Sequence, residues 1–168
     1  GITFEQAPIR MAVTTREAGH VFNEPAVPTF NITLTALSGK RVSACSIEAV
    51  ATDWYGDNTT ASIEKVDLDR VGDSVVSLPI PVKKRGYYEL AVHLKSGRNL
   101  LLTRRTTFAV LAPDTRKHRD QSPFGTWDFC GGHYTSNDPD LVGPLYVKAG
   151  LRYGMFGFSE AARAKYGV

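Results

Sequence analysis

From Ile9 to Leu111 apolar and polar residues alternate with a period of two, and no helix-length window there carries an apolar stripe at i, i+3, i+4 and i+7. Successive side chains of a strand point to opposite faces, so only strands with one buried face satisfy that pattern. The region is expected to be all-β. Pro28 to Leu37 (PTFNITLTAL) places Phe30, Ile32, Leu34 and Ala36 on one face and Asn31, Thr33 and Thr35 on the other. After the turn Ser38-Gly39-Lys40, Arg41 to Ala51 places Cys45, Ile47, Ala49 and Ala51 inward, and the two runs are expected to form a hairpin. Beyond the turn Tyr55-Gly56-Asp57-Asn58, Thr60 to Leu68 reads as a polar edge strand. Ser74 to Val82 contains Pro79 and Pro81, which cannot donate to a ladder and confine it to an edge or bulge.

Gly86 to Leu94 (GYYELAVHL) is the clearest strand, with Tyr88, Leu90, Val92 and Leu94 on one face and Tyr87, Glu89, Ala91 and His93 on the other. Ser96-Gly97-Arg98-Asn99 turns it back into Leu100 to Leu111, closing a hairpin. About seven short strands of this kind fit an immunoglobulin-like or fibronectin-III-like antiparallel β-sandwich. In such sandwiches a tyrosine near the start of the penultimate strand bonds back to the backbone, a role open to Tyr87 or Tyr88. The expected core is Phe30, Ile32, Leu34, Ile47, Tyr88, Leu90, Val92 and Val110.

The pattern changes after Leu111. Thr115 to Gln121 is a polar, basic run with no apolar anchor or interleaved aromatic, which reads as a solvated linker rather than a phosphate-binding patch. The expected division is a sandwich over residues 1–112, a linker over 113–122 and a βαβα segment over 123–168. Within that segment Pro123 to Tyr134 and Leu151 to Phe158 are strand candidates. Asp138 to Ala149 and Ser159 to Tyr166 are helix candidates, the second begun by a serine cap. A strand, crossover helix and strand imply a parallel pair and the opening of a larger α/β domain. Pro144 would break the first helix, which is therefore expected to start nearer Gly143.

The 20 Lys and Arg against 17 Asp and Glu leave a formal charge of only +3, too weak and dispersed for a nucleic-acid footprint. No apolar run approaches the length of a membrane helix, so neither nucleic acid nor membrane is an expected partner. Cys45 and Cys130 match no metal or disulfide spacing and are expected to stay unbonded. Cys130, His133, Asp138 and Asp140 offer ligand atoms in a short span, but Cys-x-x-His alone closes no site, and neither a metal nor a cofactor is expected. His20, His93 and His118 are isolated and read as surface residues. Gly157-Phe158-Ser159-Glu160-Ala161 has the form of a nucleophile elbow, but no His or Asp follows Ser159 to complete a triad, so the serine is expected to cap a helix.

Gly86-Tyr87-Tyr88-Glu89-Leu90, Thr107-Phe108-Ala109-Val110-Leu111-Ala112-Pro113, Ser122-Pro123-Phe124-Gly125 and Lys148-Ala149-Gly150-Leu151-Arg152-Tyr153 together resemble the N-terminal part of multidomain bacterial glycoside hydrolases of the family 39 and family 5 type. The resemblance implies an accessory sandwich followed by the first βα units of a TIM barrel, with the catalytic glutamates on later strands, so no catalytic residue is expected in this chain. It implies a non-catalytic fragment of a secreted or periplasmic carbohydrate-active enzyme, inert alone. Its partners would be an oligo- or polysaccharide and the remainder of the catalytic domain. The family's arginine-rich stretch after the second strand is replaced here by Gly154-Met155-Phe156-Gly157-Phe158. On this reading Trp127, His133 and Tyr134 fall near the C-terminal end of the first barrel strand, the face that carries active sites, and are candidates for a substrate subsite. The rival expectations are a carbohydrate- or protein-binding adhesion module, for which Trp54 and Tyr55 at one turn are the available aromatics, and a small hydrolase using Ser159.

Overall fold

The inward residues of the alternating strands meet in one core between two sheets. The computed structural model describes residues 9–37, 42–68, 72–118, 121–126, 138–154 and 158–167. It divides into two units, Gly1–Pro113 and Asp114–Val168. In the first unit, β1 (Ile9–Thr14), β3 (Thr29–Ala36) and β6 (Asp73–Pro79) form a three-stranded antiparallel sheet in the order β1-β3-β6. Facing it is a five-stranded sheet in the order β2-β8-β7-β4-β5, built from β2 (Val21–Asn23), β4 (Val42–Asp53), β5 (Asn58–Leu68), β7 (Gly86–Ser96) and β8 (Asn99–Leu111). This is a mainly antiparallel two-sheet sandwich, as the alternation implies.

The eight expected core residues, Phe30, Ile32, Leu34, Ile47, Tyr88, Leu90, Val92 and Val110, are all buried, none more than 5% exposed. Phe30 and Phe108 meet edge to face at 5.5 Å, and Tyr88 stacks on Phe108 at 4.9 Å. Aromatic pairs in these geometries add to the burial of their area. Of the two candidate tyrosines it is Tyr88 that bonds back, its hydroxyl donating to the Lys84 carbonyl at 2.7 Å. Cys45 is buried and unbonded. Burial and the nearby Asp67 carboxylate push its thiol up, which keeps it protonated.

The hairpin expected between Pro28–Leu37 and Arg41–Ala51 does not form. Strand β3 pairs with β1 and β6, whereas β4 pairs with β5 and β7, so the two lie in opposite sheets. Both strands carry a full apolar face. Setting those faces against each other across the core buries both, which side-by-side pairing in one layer would not do.

Residues before β3 also divide between the sheets. Strand β1 runs antiparallel to β3, and β2 runs parallel to β8, with Val21 opposite Ala109. Between them Gly19 and His20 take left-handed φ values of 61° and 56°. The His20 Nδ1–H donates to the Thr107 carbonyl at 3.0 Å and the ring packs edge-on against Phe30 at 5.7 Å, so this histidine is half-buried and structural rather than superficial. Strands β5 and β6 stand at sheet edges, with Pro79 ending β6, where a missing N–H costs no ladder bond.

The second unit has the order β9 (Gly125–Thr126), α1 (Pro139–Ala149), β10 (Tyr153–Gly154) and α2 (Glu160–Tyr166). Its strands pair in parallel, Tyr153 opposite Gly125. Helix α1 starts at Pro139, not near Gly143, and Pro144 lies inside it. The Asp138 side chain caps it by accepting from the Asp140 N–H at 2.9 Å, and Pro139 at the first position has its φ preset for a helix. Pro144 therefore forfeits one bond in a helix nucleated upstream. Val142, Tyr146, Phe158 and Ala162 form the buried cluster of this unit.

The segment read as a linker is partly built into the unit. Arg116 donates to the Lys148 carbonyl at 2.8 Å and pairs with Asp114, whose carboxyl its hydrogen bonds bring down to about 2. Among the described residues no helix is long and apolar enough to cross a membrane.

Candidate functional site

The β4–β5 turn is held by one carboxylate. Asp53 Oδ1 accepts from the N–H groups of Tyr55 and Asp57, each at 2.9 Å, while Gly56 supplies the φ of +90° that closes the turn. Lys84, from the segment before β7, reaches across to Asp57 Oδ2 at 2.6 Å and Asp53 Oδ2 at 3.4 Å. The backbone of Lys84 is itself held by the Tyr88 hydroxyl. A chain of contacts thus runs from the core tyrosine through Lys84 to the turn.

That turn raises Trp54 and Tyr55 into solvent, 82% and 85% exposed. Tyr87, on the outer face of β7, is 44% exposed, and it lines one depression of about 320 Å³ with Trp54, Thr52 and Glu89. Thr52 and Glu89 also line a second depression, of about 280 Å³, which continues across the sheet over Val50 and Ala91 to Arg105 and Thr107. The register explains the juxtaposition: Thr52 lies opposite Glu89, Glu89 opposite Thr107, and Ala91 opposite Arg105. The Glu89 and Arg105 side chains are exposed and, among the described residues, take part in no hydrogen bond or ion pair. The face therefore offers aromatic plates at one end and a free carboxylate and guanidinium beside them.

Burial pushes the Asp53 carboxyl up, but the Asp57 and Tyr55 N–H groups and the Lys84 ammonium outweigh it and hold the carboxyl below its usual range. A carboxyl lowered in the folded state stabilises above its unfolded value and loses that contribution as pH falls through its folded value. On acidification the Tyr55 and Asp57 amide resonances are expected to titrate with a midpoint below the roughly 3.9 of a free aspartate. A midpoint at or above that value would show that these bonds do not hold the turn.

Trp127, His133 and Tyr134 lie outside the described residues, as does Cys130. Asp138 caps α1, and Asp140 bonds Lys165 and Tyr166, whose partnership pushes Lys165 up to about 12. Among the described residues no group of three or more His, Cys, Asp and Glu is gathered for a metal. His93 bonds the Thr103 hydroxyl at 2.9 Å on the outer face of the sheet. Ser159 caps α2, accepting from the Ala162 N–H at 3.3 Å, as its position before an alanine-rich run implies. Sequence reasoning singled out Trp54 and Tyr55 but missed Tyr87, Glu89 and Arg105. The first two were visible as the outward face of their strand, whereas Arg105 joins them only through the β7–β8 register.

No protein-family model matches the chain, and no curated protein sequence matches it. Among solved structures it is similar to the CARDB domain of a Pyrococcus furiosus protein, with 10% identity, 62% of this chain and 94% of that one covered, and a TM-score of 0.48. It is also similar to a β-glucosidase from Listeria innocua in complex with isofagomine, with 13% identity, 61% of this chain covered and a TM-score of 0.45. A β-glucuronidase from Bacteroides uniformis gives 13% identity, 59% of this chain covered and a TM-score of 0.44. The matched stretch spans 16% of the glucosidase and 13% of the glucuronidase. The assignment of the sandwich rests on the strand pairing above.

Proposed function

We propose that the chain is the non-catalytic N-terminal region of a secreted or periplasmic glycoside hydrolase, an immunoglobulin-like accessory sandwich followed by the first βα units of a catalytic barrel. The observation that carries this reading is the strand–helix–strand–helix order after Pro113, with β9 and β10 paired in parallel across α1. A parallel pair bridged by a helix is the repeating unit of (β/α)8 barrels. Directly after a sandwich, it supports an accessory module joined to an α/β catalytic domain rather than a free-standing adhesin.

The reading is tested by activity. The 168-residue chain is expected to turn over no aryl glycoside and no aryl ester, while the natural gene product hydrolyses a glycoside. Ser159→Ala is expected to cost about 0.5–2 kcal/mol through loss of the α2 cap and to change no turnover. Ester hydrolysis by this chain that disappears in Ser159→Ala would overturn the reading in favour of a serine hydrolase.

A further inference from the structure

The outer face of the β4-β7-β8 layer carries groups that the sandwich itself does not use. Trp54 and Tyr55 are more exposed than other large apolar side chains on the described surface. Burying an aromatic is worth far more than exposing one, so an exposed cluster marks a surface built to meet something. Glu89 and Arg105 point into the same continuous groove and have no partner among the described residues.

We infer that this groove binds a neutral polysaccharide, a chain of pyranose rings, with Trp54 and Tyr87 stacking on ring faces and Glu89 and Arg105 bonding the hydroxyls between them. The inference deepens the reading above and rests on it. A carboxylate needs donors and a guanidinium needs acceptors, and a hydroxyl group is both. Because the two charges offset each other, the groove favours no anion or cation over an uncharged ligand. The aromatic end adds a demand that ions and small polar molecules cannot meet: an apolar face large enough to cover a ring. A pyranose with equatorial hydroxyls has such a C–H face and carries its hydroxyls around the rim.

The shape points to a chain rather than a single sugar. Two depressions share Thr52 and Glu89 and run from the turn to Arg105. Along β7 the lining residues extend from Tyr87 to Ala91, about 13 Å at the rise of a strand. The turn is also fixed before any ligand arrives, since Asp53, Asp57 and Lys84 tie it down. A preorganised surface loses less freedom on binding.

The test is isothermal titration of the 168-residue chain with neutral hexasaccharides of β-1,4-linked glucose, xylose and mannose, and with polygalacturonate as a charged control. At least one neutral hexasaccharide is expected to bind, and Trp54→Ala to weaken it tenfold or more, about 1.4 kcal/mol, with an unchanged melting temperature. Tyr87→Ala and Arg105→Ala should each weaken binding, and Glu89→Gln should weaken it without affecting folding. Binding to polygalacturonate alone, binding indifferent to both aromatic substitutions, or binding to none of the neutral sugars would each overturn the site. If the chain binds nothing while the natural gene product still hydrolyses glycosides, the site falls and the accessory role stands. Trp54-dependent binding by a chain whose gene product hydrolyses no glycoside supports the site and overturns the accessory role.

Discussion

Phe30→Ala is expected to lower the stability of the sandwich by about 3–5 kcal/mol, the range for truncating a fully buried phenylalanine. Phe30 has no exposed surface and sits where the two sheets meet. Its ring lies 5.7 Å from Phe22, 5.5 Å from Phe108 and 5.7 Å from His20, so its removal strips contacts from three neighbours at once. Two of those neighbours anchor the split N-terminal segment. Strand β2 has only three residues, and His20 sits in a left-handed conformation that its contacts must sustain. The space left cannot be refilled by a simple collapse, because Phe22, Phe108 and Phe30 come from different strands whose register is fixed by ladders. Urea unfolding followed by far-ultraviolet circular dichroism measures the loss, with Val75→Ala, on the exposed face of the edge strand β6, as a control expected within about 0.5 kcal/mol of wild type. A loss under about 1 kcal/mol for Phe30→Ala would mean that the sheets do not pack through this cluster.

The faces of the strands were legible in the sequence because alternation is local. Tyr88, Leu90, Val92 and Leu94 need only their own strand to declare which side is buried, and the structure buries all four. Partnership between strands is not local. Nothing in Phe30-Ile32-Leu34 or in Ile47-Ala49-Ala51 says whether the two faces lie side by side or opposite each other, and the hairpin expectation failed for that reason. The segment from Ile9 to Asn23 was read only as part of the all-β region, for a related reason: a six-residue strand and a three-residue strand carry too few alternations to announce a change of sheet. The same distinction governs the groove. Trp54 and Tyr55 stand beside a turn signal and could be noticed, and Tyr87 and Glu89 are outward residues of a strand whose inward face was read correctly. Arg105 becomes part of the site only when the β7–β8 hairpin sets it opposite Ala91. Helix α1 shows a cap overriding a breaker, since Asp138 and Pro139 fix a start that Pro144 alone argued against.

Tyr88→Phe is expected to cost about 0.5–1.5 kcal/mol, the net contribution of a protein hydrogen bond whose acceptor lies on an exposed residue. The substitution keeps the ring, and with it the stack on Phe108 at 4.9 Å, so the measured loss belongs to the hydroxyl and its 2.7 Å bond to the Lys84 carbonyl. That carbonyl belongs to the residue whose ammonium grips Asp53 and Asp57, so the hydroxyl lies at the core end of the contacts that hold the Trp54 turn. Lys84→Met removes the far end of the same chain. Its ion pairs are exposed, and exposed pairs contribute little to global stability, so this variant should unfold at the same urea concentration as wild type. Both variants should nevertheless shift the amide resonances of Tyr55 and Asp57, because both release the turn from the corner. If Tyr88→Phe lost less than about 0.5 kcal/mol and left those resonances in place, the tyrosine would be an ordinary core residue. The aromatic turn would then be held by Asp53, its neighbouring backbone and the Lys84 ion pairs, with no connection through Tyr88 to the interior of the sandwich.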